Sequence, residues 1–139
     1  DHVLFATDFS KNSEVAFNYL VEMIPLVKKK ISLVHIQDEY RISPYLDSKI
    51  EEFNRIDSGR LEAMKKVLMD NGCPDVETVL KYGSPSSEIL KSVKELSAQM
   101  VVMGSQGRGF VNEFFLGSVS HNIARQSPVH VLLIPAKRQ

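Results

Sequence analysis

The chain has 139 residues, 43% of them hydrophobic and 24% charged, which suits one globular domain over residues 1–139 burying roughly two thirds of its extended-chain surface. Lys plus Arg (17) balances Asp plus Glu (17), so no strong field favours DNA, RNA or an acidic membrane. The single cysteine, Cys73, excludes an intramolecular disulfide and lies far in sequence from every histidine, which argues for a reducing compartment and against a structural zinc site. No apolar run approaches the ~18 residues of a membrane span, and the first residues run into a strand with no signal-peptide pattern; a cytoplasmic protein is expected.

His2–Ala6 is an apolar run of strand length, broken by Thr7-Asp8-Phe9-Ser10, and Ser10 is suited to cap the helix that follows. Ala16, Tyr19, Leu20 and Met23 recur at helical spacing, and Pro25 is expected to end or kink that helix. Lys28, Lys29 and Lys30 read as its solvated end. Ile31–Gln37 predicts a buried second strand, and Asp38–Ser43 a polar loop. Pro44 can open a long amphipathic helix whose stripe is Ile50, Phe53, Ile56, Met64, Val67 and Leu68. Met64, Met69 and Met103 read as core or near-core filler. Asn71-Gly72 stops this helix, with Pro74 beyond.

Val76–Tyr82 predicts a third strand. Ser84 as N-cap and Pro85 at the first helical position then open a third helix with Ile89, Leu90, Val93 and Leu96 inward. Gln99–Met103 is a fourth strand, followed by a glycine-rich loop, Gly104–Leu116. Gly117-Ser118 opens a fourth major helix with Val119, Ile123 and Ala124 inward, which Pro128 stops; Val129–Ile134 is a fifth strand. Strands that are almost continuously apolar and alternate with helices imply an α/β fold, an open parallel sheet covered on both faces.

The chemistry concentrates in Gly104-Ser105-Gln106-Gly107-Arg108-Gly109, then Gly117-Ser118. This stretch leaves a strand and ends at a helix start, where unpaired N–H groups and the helix dipole favour phosphate. Glycines let the backbone approach phosphate oxygens. It is not a P-loop, because no Gly-Lys-Ser/Thr follows, and it lacks the third glycine of the dinucleotide fingerprint. By its glycines alone it is equally a flexible surface loop. Its length favours function, since α/β connections usually run about 2–6 residues.

The spacing Gly104-x2-Gly107-x9-Gly117-Ser118 resembles the ATP-binding signature of the universal stress protein family. Ala6-Thr7-Asp8-Phe9-Ser10 resembles the family's opening motif, Leu33-Val34-His35-Ile36 its second strand, Gly83-Ser84-Pro85 its third helix start, and Val101–Ser105 its fourth strand and loop. The resemblance covers essentially the whole chain. It implies a Rossmann-like sheet of order 3-2-1-4-5 and an adenine nucleotide, ATP or AMP with ADP as an alternative, at the point where that order reverses. It implies that Ala6, Thr7 and Asp8 line the nucleoside, that Ile36 lies against the adenine, and that Gly104, Gly107, Arg108 and Gly109 wrap ribose and phosphates, with Met103 and Ser105 also among the binding residues. Ser118, Val119 and Ser120 would hold phosphate. Asp8 could also face a nucleotide-bound magnesium. The family pairs through strand 5, so a homodimer on residues 129–134 is expected. Gln99 stands where the family usually has Asp, and His130 where proline is common.

Alternative readings accompany each residue. Asp8 can simply cap the first helix, Arg108 can be a solvated charge, and His35 a packed histidine. His121 reads as surface. No Ser-His-Asp or Cys-His order argues for nucleophilic catalysis, so a nucleotide-switched regulatory module is expected over a slow ATPase or a nucleotide-independent scaffold.

Overall fold

The computed structural model describes residues 2–27, 29–106 and 117–136. Five strands, β1 (His2–Ala6), β2 (Lys30–Asp38), β3 (Asp75–Gly83), β4 (Met100–Gly104) and β5 (His130–Ile134), form one sheet. Its order is β3-β2-β1-β4-β5, and every pairing is parallel. The helices are α1 (Lys11–Val27), the one-turn α2 (Glu39–Ile42), α3 (Leu46–Asp70), α4 (Pro85–Glu95) and α5 (Ser118–Gln126).

Successive strand residues face opposite sides of the sheet, and the two sides build separate cores. Val3, Phe5, Ile31 and Leu33 pack with Ala16, Phe17, Leu20 and Ile24 of α1 and with Leu61 and Leu68 of α3. Leu4, Ala6, Val34, Ile36, Val101 and Met103 pack with Ile89 and Val93 of α4 and Ile123 of α5. The near-continuous apolar runs follow from this two-sided burial.

Local chemistry sets the helix ends. Ser10 Oγ accepts from Ser13 N–H at 3.2 Å and caps α1, so Asp8 is not its cap. Gly72 (φ 101°) ends α3: its N–H donates to Met69 and that of Cys73 donates to Leu68, the paired closure of a Schellman motif.

Several expectations from the sequence are corrected. α1 continues through Pro25 to Val27, because a proline in the last turn removes just one backbone donor. Lys30 is no helix end; it begins β2 beside His2 and lies 3.4 Å from Glu77. Asp38–Ser43 is not a loop: Asp38 accepts from Tyr40 N–H at 3.0 Å and caps α2, and a 3-10 turn at Ser43–Tyr45 leads into α3.

The inward stripe of α3 runs Phe53, Asp57, Leu61, Met64, Leu68, while Ile56, Val67 and Met69 are exposed. Ser84 stands at the N-cap of α4 without a side-chain cap bond, and Ala124 of α5 is exposed. Gln99 joins the feet of two strands: its N–H donates to His2 O (2.8 Å) and its Oε1 accepts from His2 N–H (3.2 Å).

Candidate functional site

The sheet order reverses between β1 and β4, and the chain leaves those strands in opposite directions, opening a crevice at their carboxyl ends. A cleft of about 770 Å³ occupies that position, within the usual range of small-molecule sites.

The α4/α5 side of the cleft is apolar at its floor. Ala6, Val34, Ile36, Ile89 and Met103 all line it. Gly104 closes β4; a Cβ there would stand 3.3 Å from the Asn12 carbonyl oxygen, so this close approach favours glycine. Gly117, Ser118, Val119 and Ser120 bring the N-terminus of α5 to the same cleft. Gly117 is the N-cap (φ −67°, ψ 157°), and its N–H donates to Ser105 O at 2.8 Å. Ser118 is exposed, whereas Ser120 is buried and donates its hydroxyl to Gly104 O at 3.1 Å.

The first loop is braced from within. Thr7 N–H donates to Val34 O, and Thr7 Oγ1 accepts from Phe9 N–H (3.0 Å) and from the Ser13 hydroxyl (2.7 Å). Asp8 Oδ1 accepts from Ser10 N–H at 2.9 Å. Phe9 takes a positive φ of 63°, unusual for a bulky residue and a mark of a tightly determined turn.

Of the residues expected from sequence, Ala6, Thr7, Asp8, Ile36, Met103, Gly104, Gly117, Ser118, Val119 and Ser120 meet in this cleft. Ser105 is not among its lining residues; its backbone instead bridges β5 and α5, through N–H to Ile134 O (2.9 Å) and C=O from Gly117. Gly107, Arg108 and Gly109 lie outside the described residues. His121 is exposed on α5.

Sequence reasoning missed the opposite wall. Asp38, Arg41 and Ile42 from the α2 turn, and Phe53, Ile56, Asp57 and Arg60 from α3, line the cleft. Asp57 could have been found: it is a charge at an inward position of an otherwise apolar stripe. The packed-histidine reading of His35 fits its burial, but its ring is also part of the cleft, between the first loop and Asp57. Among the described residues no cluster of His, Cys, Asp and Glu has the arrangement of a metal site, and no helix is long and apolar enough to cross a membrane.

Comparison with known proteins gives the fold a family. The universal stress protein family model matches residues 1–135. The chain belongs to the universal stress protein family. Relatives named as universal stress proteins in Staphylococcus aureus strains USA300 and NCTC 8325 are each 34% identical over 137 residues, covering 96% of this chain and 82% of theirs. The solved structure of hypothetical protein MJ0577 superposes with a TM-score of 0.83 at 27% identity, covering 100% of this chain and 98% of the other. A universal stress protein solved in complex with cAMP has a TM-score of 0.71 at 21% identity, covering 99% and 98%. One from Archaeoglobus fulgidus in complex with dAMP has a TM-score of 0.68 at 20%, covering 95% of each chain.

Proposed function

We propose that the cleft binds an adenine nucleotide, ATP or AMP with ADP as the alternative, and that the domain serves the cytoplasmic stress response as a nucleotide-responsive regulatory module. One observation carries this reading: the N-terminus of α5 and the glycine end of β4 meet an apolar slot in a single cleft at the switch point of the sheet. The slot, with Ala6, Ile36, Ile89 and Met103, suits a flat, weakly polar base. The helix start suits phosphate, through N–H groups and dipole. The two relatives solved with cAMP and dAMP both hold adenine nucleotides.

Within this reading Thr7 acts as a brace, because its hydroxyl oxygen already accepts two bonds inside the loop. Asp8, exposed enough to meet solvent, faces ribose or a phosphate-bound magnesium. Gly107, Arg108 and Gly109 complete the phosphate loop. The glycine motif itself offers donors rather than bases, so tight binding with slow turnover is the expected behaviour.

We also propose pairing through β5. Among the described residues it is an edge strand paired with β4 alone, and Val131, Leu132 and Leu133 stay partly exposed in the single chain. A two-fold partner would cover them and satisfy the open edge.

Mass spectrometry of small molecules released from freshly purified protein, followed by calorimetry with ATP, ADP, AMP and GTP, tests the nucleotide reading. Release or micromolar binding of an adenine nucleotide supports it. Absence of both, or equal affinity for GTP, overturns it.

A further inference from the structure

His35 lies on the α1/α3 side of β2, one residue before the proposed adenine contact Ile36 and on the opposite face of the sheet. Its side chain is 10% exposed. Nδ1 stands 2.7 Å from the carbonyl oxygen of Thr7. A carbonyl carries no proton, so Nδ1 must be the donor, and the tautomer is thereby set. Nε2 lies 3.6 Å from Oδ2 of Asp57, on α3. The same carboxylate oxygen accepts from Gln37 Nε2 at 3.1 Å.

With Nδ1 protonated, a neutral His35 turns the lone pair of Nε2 toward a carboxylate. A proton added to Nε2 can be shared with that carboxylate as a charge-assisted N–H⁺···O⁻ interaction. No other group changes its proton in this step.

The loop above the pair is built around it. The Phe9 ring lies tilted against His35 with centroids 4.3 Å apart, and the guanidinium of Arg60, on α3, lies 5.1 Å from the Phe9 centroid. Arg60 is also 3.7 Å from Asp57. One cluster therefore joins β2, the first loop and α3, the wall of the cleft.

We propose that His35 is a positioning residue of the nucleotide cleft, holding the Thr7–Phe9 loop through Nδ1 and fastening it to α3 through Nε2 and Asp57, so that protonation of the ring tightens the cleft on an anionic nucleotide. This rests on the nucleotide reading of the same cleft. Protonation acts twice in one direction: it fastens Asp57 to β2, and it removes one net negative charge from the wall beside the ligand. Among the described residues lining the same cleft, the charged groups are Asp8 from the first loop, Asp57 and Arg60 from α3, and Asp38 and Arg41 from the α2 turn. α1, α4 and α5 contribute Ser13, Pro85, Ile89 and Gly117–Ser120 to the described lining, none of them charged.

The test is calorimetry with ATP at pH 8.0 and pH 5.5 on the full chain, wild type beside D57N, H35N and H35L, each checked for folding by circular dichroism. The ligand's own titration is common to all four and cancels. On moving to pH 5.5 the wild type should gain at least about fivefold more affinity than D57N or H35N, the lower range of coupling between sites. H35L should bind more weakly than wild type at both pH values. H35N, which keeps a donor near the place of Nδ1, should lie between them at pH 8.0 without the acid gain. Equal pH dependence in wild type, D57N and H35N would overturn the positioning role while leaving the nucleotide reading intact. Wild type with no ATP binding at either pH would overturn both. If the His35 variants unfold, D57N, which replaces a carboxylate with an isosteric amide, decides alone.

Discussion

Gly117 donates its backbone N–H to the carbonyl oxygen of Ser105 at 2.8 Å, fastening the start of α5 to the end of β4. Together with the Ser120–Gly104 bond at 3.1 Å, it fixes the helix N-terminus against the glycine end of the strand. The phosphate side of the proposed site is thus preorganised by the protein's own bonds.

Gly117 sits at φ −67° and ψ 157°, a conformation open to any residue. The backbone of Gly117→Val is therefore unstrained, and its methyl groups should stand where phosphate oxygens approach. Losing one charge-assisted bond costs about 1.5–3 kcal/mol, or roughly 10- to 150-fold in ATP affinity. Calorimetry paired with a melting curve checks this; unchanged affinity would remove the start of α5 from the site.

Leu61 is 1% exposed in the α1/α3 core, whereas Met69 on the same helix is 48% exposed. Leu61→Ala should cost about 2–5 kcal/mol through lost burial and a residual cavity. Met69→Ala should stay within about 0.5 kcal/mol. Urea unfolding of the two variants distinguishes this assignment of faces from the stripe read off the sequence.

Acid should weaken the fold in two steps through one network at the foot of the sheet. His2 Nε2 lies 2.6 Å from Ser32 Oγ, and the Ser32 hydroxyl donates to Glu77 at 2.7 Å. Burial, then Lys30, lowers the pKa of His2 below its usual 6.5. The unfolded chain thus takes up that proton first, and stability falls as pH drops below about 6.5. The Ser32 hydrogen bond, working against burial and helped by Lys30, lowers the pKa of Glu77 below its usual 4.5. Its contribution is present above that value and is lost as pH falls further. Glu77→Gln should flatten the urea midpoint against pH below about 4.5 and leave most of the decline between 7 and 5.

Sedimentation at ~100 μM, a concentration at which a specific micromolar interface is populated, should give twice the 15.7 kDa chain mass. Leu132→Lys should shift that equilibrium toward the single chain, since the added charge would have to be buried in the pairing. A wild-type mass of one chain would remove the β5 interface.

The alternation of apolar runs with helical periodicity was enough to read the parallel α/β sheet and its five strands, because two-sided burial makes the middle strands predominantly apolar, with Ser32, His35 and Gln37 of β2 as buried polar exceptions. Of the spaced glycines, Gly104 and Gly117 line the cleft, and at Gly104 the close approach of the Asn12 carbonyl favours a residue without a side chain. Gly72 marked the end of α3, because a positive φ there favours glycine.

Other features depended on partners distant in sequence. Pro25 stays helical because α1 has only its last turn left, and Ala124 faces solvent because Ile123 takes the inward position beside it. On α3 the inward line ran through Asp57 and Leu61, not Ile56 and Val67, since a 3.6-residue period admits neighbouring stripes and packing against β2 and β3 chooses between them. The α2–α3 wall of the cleft carries no spaced motif. Asp57, Arg60, Phe9 and His35 come from three separate segments, and their chemistry exists only where the tertiary structure brings a carboxylate, a guanidinium and two rings within a few ångströms.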